Sequence, residues 1–228
     1  MSGLIEFNVE QIKKQIPDRV RIVAVTKKVS VDGIRQAYKA GLRDFGENRL
    51  QEAIAKQTQL EDLTDICWHF IGHLQANKAK KAIENFGWIH SLDSLNIAQR
   101  LNRLASEAIK EDVIQSPPQV CLQVKILPDP HKYGWEVEQL WKDLAAIDNL
   151  ESLKVCGLMS ILPLGLSEEE ILAAFTQVNQ LAQQIKAQKW SHITMNELSM
   201  GMSGDYLLAI KAGATMIRLG TIIFGMRQ

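Results

Sequence analysis

RIVAVTKKVSVDGIRQAYKAGLRDFGEN, residues 21–48, decides the fold of this chain. Residues 21–26, RIVAVT, are β-branched or apolar almost throughout and read as a buried strand. VDGIRQAYKAG, residues 31–41, has helical spacing and stops at Gly41, a C-capping residue. LRDFG, residues 42–46, follows as a second short strand. A strand, a helix and a strand on short connections make a parallel unit, because the helical crossover returns the chain to its starting edge.

The same alternation runs outward in both directions. A helix over residues 3–15 precedes the unit, and a helix over residues 47–60 follows it. Further strands are expected at residues 67–73, 88–93, 119–127 and 155–162, a weaker seventh at 194–198, and an eighth, MIRLGTIIFG, at 216–225. Helices are expected between them at residues 74–87, 94–110, 136–147, 167–189 and 205–213. The strands read as continuous apolar runs, as strands buried on both faces do. About eight such units favour an α/β fold of the (β/α)8 TIM-barrel type over an open doubly wound sheet, which stands only if residues 194–198 are not a strand. No linker, charge block or fixed repeat divides the chain, so residues 1–228 are expected to form a single domain.

Composition narrows the function. Lys plus Arg and Asp plus Glu number 26 each in 228 residues, which argues against a nucleic-acid binder with a broad basic face. No apolar run approaches the roughly 20 residues that cross a bilayer, and Glu6 and Glu10 interrupt any signal-like start. The expectation is a cytoplasmic protein without membrane or nucleic-acid partners. Cys67, Cys121 and Cys156 form no paired motif and are expected to be buried free thiols, with no metal site.

In such a barrel the chemistry lies at the C-terminal ends of the strands. Those ends offer Thr26-Lys27-Lys28, Gly46-Glu47-Asn48, Gly72-His73, Ser91, Asp93, Met159-Ser160, Ser199 to Gly204, and Arg218 to Thr221. The run SMGMSG, residues 199–204, reads as a loop opening a short helix, whose unpaired N–H groups suit an anion. Gly201 and Gly204 would permit close approach, Ser203 would cap the helix, and Gly220-Thr221 would close the cup. An ordinary serine-capped helix is the plain alternative. Lys27, closing an apolar strand, is expected to be partly desolvated and so a better amine nucleophile. Its neighbour Lys28 faces the other way, and the residues alone do not choose between the two. Arg218, a permanent charge inside an apolar strand, requires a partner: a pyridine nitrogen or a buried carboxylate. A strand-end lysine and a phosphate cup on one face suit a phosphorylated aldehyde cofactor.

These segments resemble a known family. AVTK (residues 24–27), FGEN with QE two residues on (45–52), WHFIGHLQANK (68–78), HSLDS (90–94), GLMSI (157–161) and LSMGMSGDYLLAIKAGATMIRLGTIIFG (198–225) are similar, in this order, to motifs of the pyridoxal phosphate homeostasis proteins. This is the YggS/PROSC family, also called alanine-racemase N-terminal-like. The resemblance implies a barrel of that type and pyridoxal 5′-phosphate (PLP) held on Lys27 as a Schiff base. It implies a phosphate site at Ser203, Gly220 and Thr221, Arg218 facing the pyridine nitrogen, and Asn48 lining the pocket. Met159, Ser199 and Met200 match motif positions nearby without a defined role. Arg49 stands where tyrosine is frequent and Thr26 where serine is, which leaves the bonding lysine untouched.

The implied role is PLP (vitamin B6) homeostasis with an influence on amino-acid and keto-acid balance, as a carrier rather than an enzyme. A guanidinium keeps its protons, so the pyridine nitrogen opposite it stays neutral and carbanion chemistry is disfavoured. Racemisation also needs a second acid/base. With the eighth strand's FGMRQ running to Gln228, the β domain of alanine racemases is not expected, and Tyr38, Tyr133 and Tyr206 have no evident reason to reach the ring. His73 reads as a hydrogen-bonded strand-end residue, so no catalytic residue is assigned. The alternatives are a weak PLP-dependent amino-acid racemase and a phosphosugar-binding barrel. PLP-requiring apo-enzymes are the candidate recipients, and a monomer is expected.

Overall fold

The computed structural model describes residues 3–226; the ends of the expected domain, Gln228 among them, lie outside the described residues. The strands are β1 (Arg21–Val25), β2 (Asp44–Glu47), β3 (Cys67–Phe70), β4 (Trp88–Leu92), β5 (Gln119–Lys125), β6 (Trp135–Glu136), β7 (Lys154–Met159), β8 (Ile193–Met202) and β9 (Met216–Leu219). All pair in parallel, in the order β4-β3-β2-β1-β9-β8-β7-β5, and β4 pairs with β5 to close an eight-strand barrel. The open-sheet alternative is thereby excluded.

Helices cover the outside: α1 (Leu4–Gln15), α2 (Val31–Lys39), α3 (Leu50–Gln59), α4 (Ala79–Asn85), α5 (Leu95–Lys110), α6 (Val137–Asp148), α7 (Glu168–Lys186), α8 (Tyr206–Lys211) and α9 (Thr221–Phe224). Local chemistry sets their ends. Gly41, at φ +86°, closes α2, with its own N–H on Tyr38 O and the Leu42 N–H on Ala37 O, which satisfies carbonyls left over at the helix end. Ser167 and Glu170 cap the start of α7 reciprocally. No helix among the described residues is long and apolar enough to cross a membrane.

Strand alternation sorts the buried side chains into two layers. Ala24, Phe45, Ile89 and Leu158 face outward and pack with Ile34, Leu101, Leu144 and Phe175 of the helices. Removing one such leucine, as in Leu144→Ala, costs about 2–5 kcal/mol. Val23, Trp88, Cys121, Cys156, Met159 and Met216 form a separate cluster contributed by strands alone, which fills the barrel lumen. All three cysteines are free, with Cys67 only half buried.

Four expectations are corrected. The seventh strand is not weak: β8 runs for ten residues and takes in Ser199 to Met202, so the expected loop there is mostly strand. The eighth strand stops at Leu219, and Thr221–Phe224 is a helical turn, because a short apolar run does not distinguish strand from buried helix. Glu47 belongs to β2 rather than to the helix after it. Trp135–Glu136 adds a two-residue strand beside β5, within a stretch read as loop and helix.

Candidate functional site

The turn after β1 carries Lys27. The Thr26 N–H donates to Gly46 O at 2.9 Å, so the ladder continues one residue past the strand. Alternation from Val23, which faces the lumen, then puts Lys27 on the lumen side and Thr26 on the helix side. Lys28 takes a left-handed backbone, φ 59°, uncommon for a residue with a side chain. Both lysines are exposed, which corrects the expected desolvation of Lys27.

A buried ion cluster holds this turn from behind. Lys56 Nζ, on α3, donates to Thr26 O at 2.7 Å, to Glu47 Oε1 at 2.7 Å and to Glu52 Oε1 at 2.6 Å. Glu52 Oε1 also accepts from the Lys28 N–H at 2.6 Å, and Thr26 Oγ donates to Glu47 Oε1 at 2.6 Å. The peptide groups on both sides of Lys27 are therefore tied to one ammonium and one carboxylate. Burial pushes the Glu47 carboxyl up, against the pull of Lys56 and Thr26. Burial also opposes the charge on Glu52, but Lys56 and the Lys28 N–H outweigh it and hold that carboxyl below its usual range. Glu47 Oε2 is buried with no partner among the described residues.

The expected anion end lies where β8 and β9 finish. Ser203 Oγ accepts from the Gly220 N–H at 3.3 Å, which brings the two segments together. Gly201 has φ +92°, and a Cβ there would lie 2.6 Å from Ala209 Cβ, so only glycine fits. A Cβ on Gly204 would meet nothing within 4 Å, so no close approach explains that glycine. Asp205, not Ser203, serves the turn before α8: its Oδ1 accepts from the Met202 N–H at 2.6 Å. Thr221 begins α9, where the first N–H groups have no carbonyl of their own helix to meet.

Arg218 is buried in β9. Its Nη1 donates to Ser199 O at 2.6 Å and to Ser199 Oγ at 2.7 Å, and its Nη2 to Ser160 O at 2.9 Å. These partners are two carbonyls and a hydroxyl, so the buried carboxylate is not what it meets. Burial lowers its pKa to about 10, which still leaves it charged at neutral pH. Ser160 Oγ is buried beside it with no partner among the described residues. Behind Ser199, His90 Nδ1 lies 2.7 Å from Ser199 Oγ, His90 Nε2 lies 2.8 Å from His69 Nδ1, and His69 Nε2 lies 2.8 Å from Asp44 Oδ1.

Other expected residues divide. Met159 lies in the lumen cluster, whereas Met200 packs in the outer layer against the helices. Asn48 occupies the half-buried bend after β2, its backbone so close to Gly72 that a Cβ on Gly72 would clash with it. His73 Nδ1 lies 2.9 Å from Asp93 Oδ2, as a hydrogen-bonded strand-end histidine should. Its ring stacks on that of Tyr133, with the centroids 3.5 Å apart.

Sequence reading missed Glu52, Lys56, Asp44, His69 and His90. Lys56 had a signal, because it falls at helical spacing on the buried face of α3 with Leu50 and Ala53. His69 and His90 had one too, each two residues along the strand from a lumen residue, Cys67 and Trp88.

The donor set fits a phosphorylated aldehyde. It offers an exposed amine on a fixed turn, hydroxyls and N–H groups where two strand ends meet, a buried guanidinium and a spare buried hydroxyl. Comparison with known proteins points the same way. The model of the alanine racemase N-terminal domain matches residues 3–228. The pyridoxal phosphate homeostasis protein of Synechocystis sp. is 52% identical over 217 residues, 95% of this chain and 96% of its own. The protein of that name from Escherichia coli K12 is 35% identical over 98% of this chain and 97% of its own. The structure of PipY from Synechococcus elongatus with PLP bound superposes with a TM-score of 0.90 at 46% identity, covering 97% of this chain and 100% of PipY. An alanine racemase of Clostridium difficile shares the fold at 14% identity and a TM-score of 0.79, with 98% of this chain matched to 57% of the racemase.

Proposed function

The chain belongs to the alanine racemase N-terminal domain family, among the pyridoxal phosphate homeostasis proteins, and from that premise we propose that it carries and buffers PLP in vitamin B6 homeostasis. Residues 1–228 form one PLP-binding domain in this reading. The Lys27 amine holds the aldehyde carbon; Ser203, Gly220 and Thr221 hold the phosphate. Arg218 stands at the pyridine nitrogen, with Asn48 and Met159 lining the pocket and Ser199 acting through Arg218. Met200 has only a packing role, since it lies outside the barrel wall. When bound, PLP supplies an electrophilic aldehyde and an electron-withdrawing ring.

Arg218 carries the reading. Its guanidinium rests on neutral acceptors and keeps its protons, so it donates to the ring nitrogen and never protonates it. Such a ring withdraws electrons weakly, which suits holding a cofactor more than turning over amino acids. The racemase reading has one observation in its favour, the His73 ring oriented by Asp93 at 2.9 Å. Sustained racemisation of any L-amino acid by purified protein would select it. Cytoplasmic residence, a monomeric state and delivery to PLP-requiring apo-enzymes complete the proposal.

Absorbance with PLP, borohydride trapping and peptide mapping test it. The expected result is one equivalent fixed on Lys27 and none in Lys27→Ala. Label on Lys28, or no visible band at all, overturns it.

A further inference from the structure

The chain of contacts behind Arg218 has one consistent direction. Asp44, as a carboxylate, only accepts, so His69 Nε2 carries the proton between them. A neutral His69 then presents Nδ1 as an acceptor, which places a proton on His90 Nε2. His90 Nδ1 is in turn an acceptor, to which the Ser199 hydroxyl donates. Ser199 Oγ is left to accept from Arg218 Nη1, which always donates. Every group has one role and none is left over.

Neutral histidines are required, and their surroundings favour them. Burial lowers the pKa of both rings; the neighbours His69, Arg218 and Arg21 push His90 lower still. The charged groups around the pair are Asp44 and Glu197, which favour protonation of His69, and Arg21 and Arg218, which oppose protonation of His90. Trp88 stacks on His69 at 5.8 Å with 12° between the planes, and the Arg21 guanidinium lies 5.3 Å from the Trp88 ring centre. Arg21 Nε also lies 3.8 Å from Asp44 Oδ1. Cys67 brings its thiol within 4.8 Å of the Asp44 and His69 donor atoms. Burial pushes that thiol up to about 11, and with Arg21 alongside, a hydrogen-bonded terminus fits better there than a cation.

The chain also crosses the barrel. Asp44 opens β2, His69 and His90 lie on β3 and β4, and Ser199 and Arg218 lie on β8 and β9. β4 and β8 are not neighbours in the sheet, so the bond from Ser199 to His90 spans the lumen.

We propose that Asp44, His69, His90 and Ser199 are positioning residues, a polarised hydrogen-bond relay that fixes the Arg218 guanidinium through a bond across the lumen. The arrangement meets a chemical conflict. A buried arginine needs a compensating charge, but a carboxylate touching it would compete with the ring nitrogen for its donors. Asp205 supplies an opposing charge without a hydrogen bond to the guanidinium, and the relay leaves Arg218 held by neutral acceptors alone. The effect on PLP rests on the function proposed above, whereas the direction of the relay does not.

Nitrogen-15 NMR of the full-length protein without PLP reads that direction first. The expected result is that both His69 and His90 are neutral Nε2–H tautomers at neutral pH. An Nδ1–H tautomer or an imidazolium at either position overturns the relay.

Asp44→Ala and Ser199→Ala, with Asp44→Asn and Ser199→Thr as conservative rescues, then test its effect. The alanine variants should lose the single-tautomer state and exchange Arg218 side-chain protons faster. They should release PLP about tenfold faster with a shifted absorbance maximum, and the rescues should recover most of each change. A fall in Tm without change in tautomer, exchange, release or absorbance leaves only a packing role and overturns the proposal. Wild-type protein that never binds PLP sinks the carrier reading, while the tautomers and Arg218 exchange still decide the relay.

Discussion

Two buried polar systems serve the two ends of the site, on opposite sides of the barrel wall. Outside it, Lys56, Glu47 and Glu52 sit between β2 and α3 and grip the turn around Lys27 through direct charge contacts of 2.6–2.7 Å. Inside it, His69, His90 and Ser199 connect Arg218 to Asp44 through neutral groups. The outer system has a surplus carboxylate and one orphaned oxygen on Glu47; the inner one is satisfied link by link. The difference teaches what each end needs. A lysine that exchanges a bond needs its backbone fixed and its side chain free. An arginine that only donates needs its side chain fixed and its surroundings neutral.

The strongest way to break the contrast is Lys56→Met. It leaves Glu47 buried without its cation and should lower unfolding free energy by about 3–5 kcal/mol in urea titrations. A loss below about 1 kcal/mol would mean that the cluster is not held by charge.

The inner system should reveal itself through pH. Burial lowers the pKa of His69 and His90 below their ordinary 6.5, so the unfolded chain takes up protons that the folded chain refuses. Their contribution is intact above pH 6.5 and is lost as pH falls toward the folded values, by up to about 1.4 kcal/mol per pH unit for each ring. His90→Phe should flatten the acid side of the stability curve by one ring's share. An unchanged slope would place the acid sensitivity elsewhere.

The smallest effect sharpens the outer side. The Glu47 pKa is raised, so what it contributes to stability is present below its ordinary 4.5 and is lost as pH rises through the folded value. Glu47→Gln should therefore change stability at neutral pH by no more than about 1 kcal/mol, with Lys56 still on Thr26 O and Glu52. A loss rivalling that of Lys56→Met would show that Glu47 holds the turn as an anion.

The barrel was legible because most of its strands are continuous apolar runs. β8 read as weak because its first half alternates, with Ile193 and Met195 buried and Thr194 and Asn196 exposed. Its second half, LSMGM, has the composition of a loop but is held by pairing with β7 and β9. At the site, Lys27 and Arg218 stood out as charges in apolar company. The groups that hold them did not. Glu47 and Lys56 meet across a strand, a bend and a helix, and His90 and Ser199 are 109 residues apart, separations that no local period records. Desolvation of Lys27 was expected wrongly because the ladder ends at Thr26 and Lys27 already lies in the exposed turn beyond it.

Lys56 and Glu52 stand four residues apart on α3, on successive turns of one short helix, and between them they hold the peptide groups on either side of Lys27. In mechanical terms, that helix and that lysine backbone are one part. A shift of α3 along or around its axis cannot be absorbed by a slack loop, since each of its two anchors is a charged contact under 2.8 Å. The backbone that carries the amine is thus held from the outer side of the barrel wall.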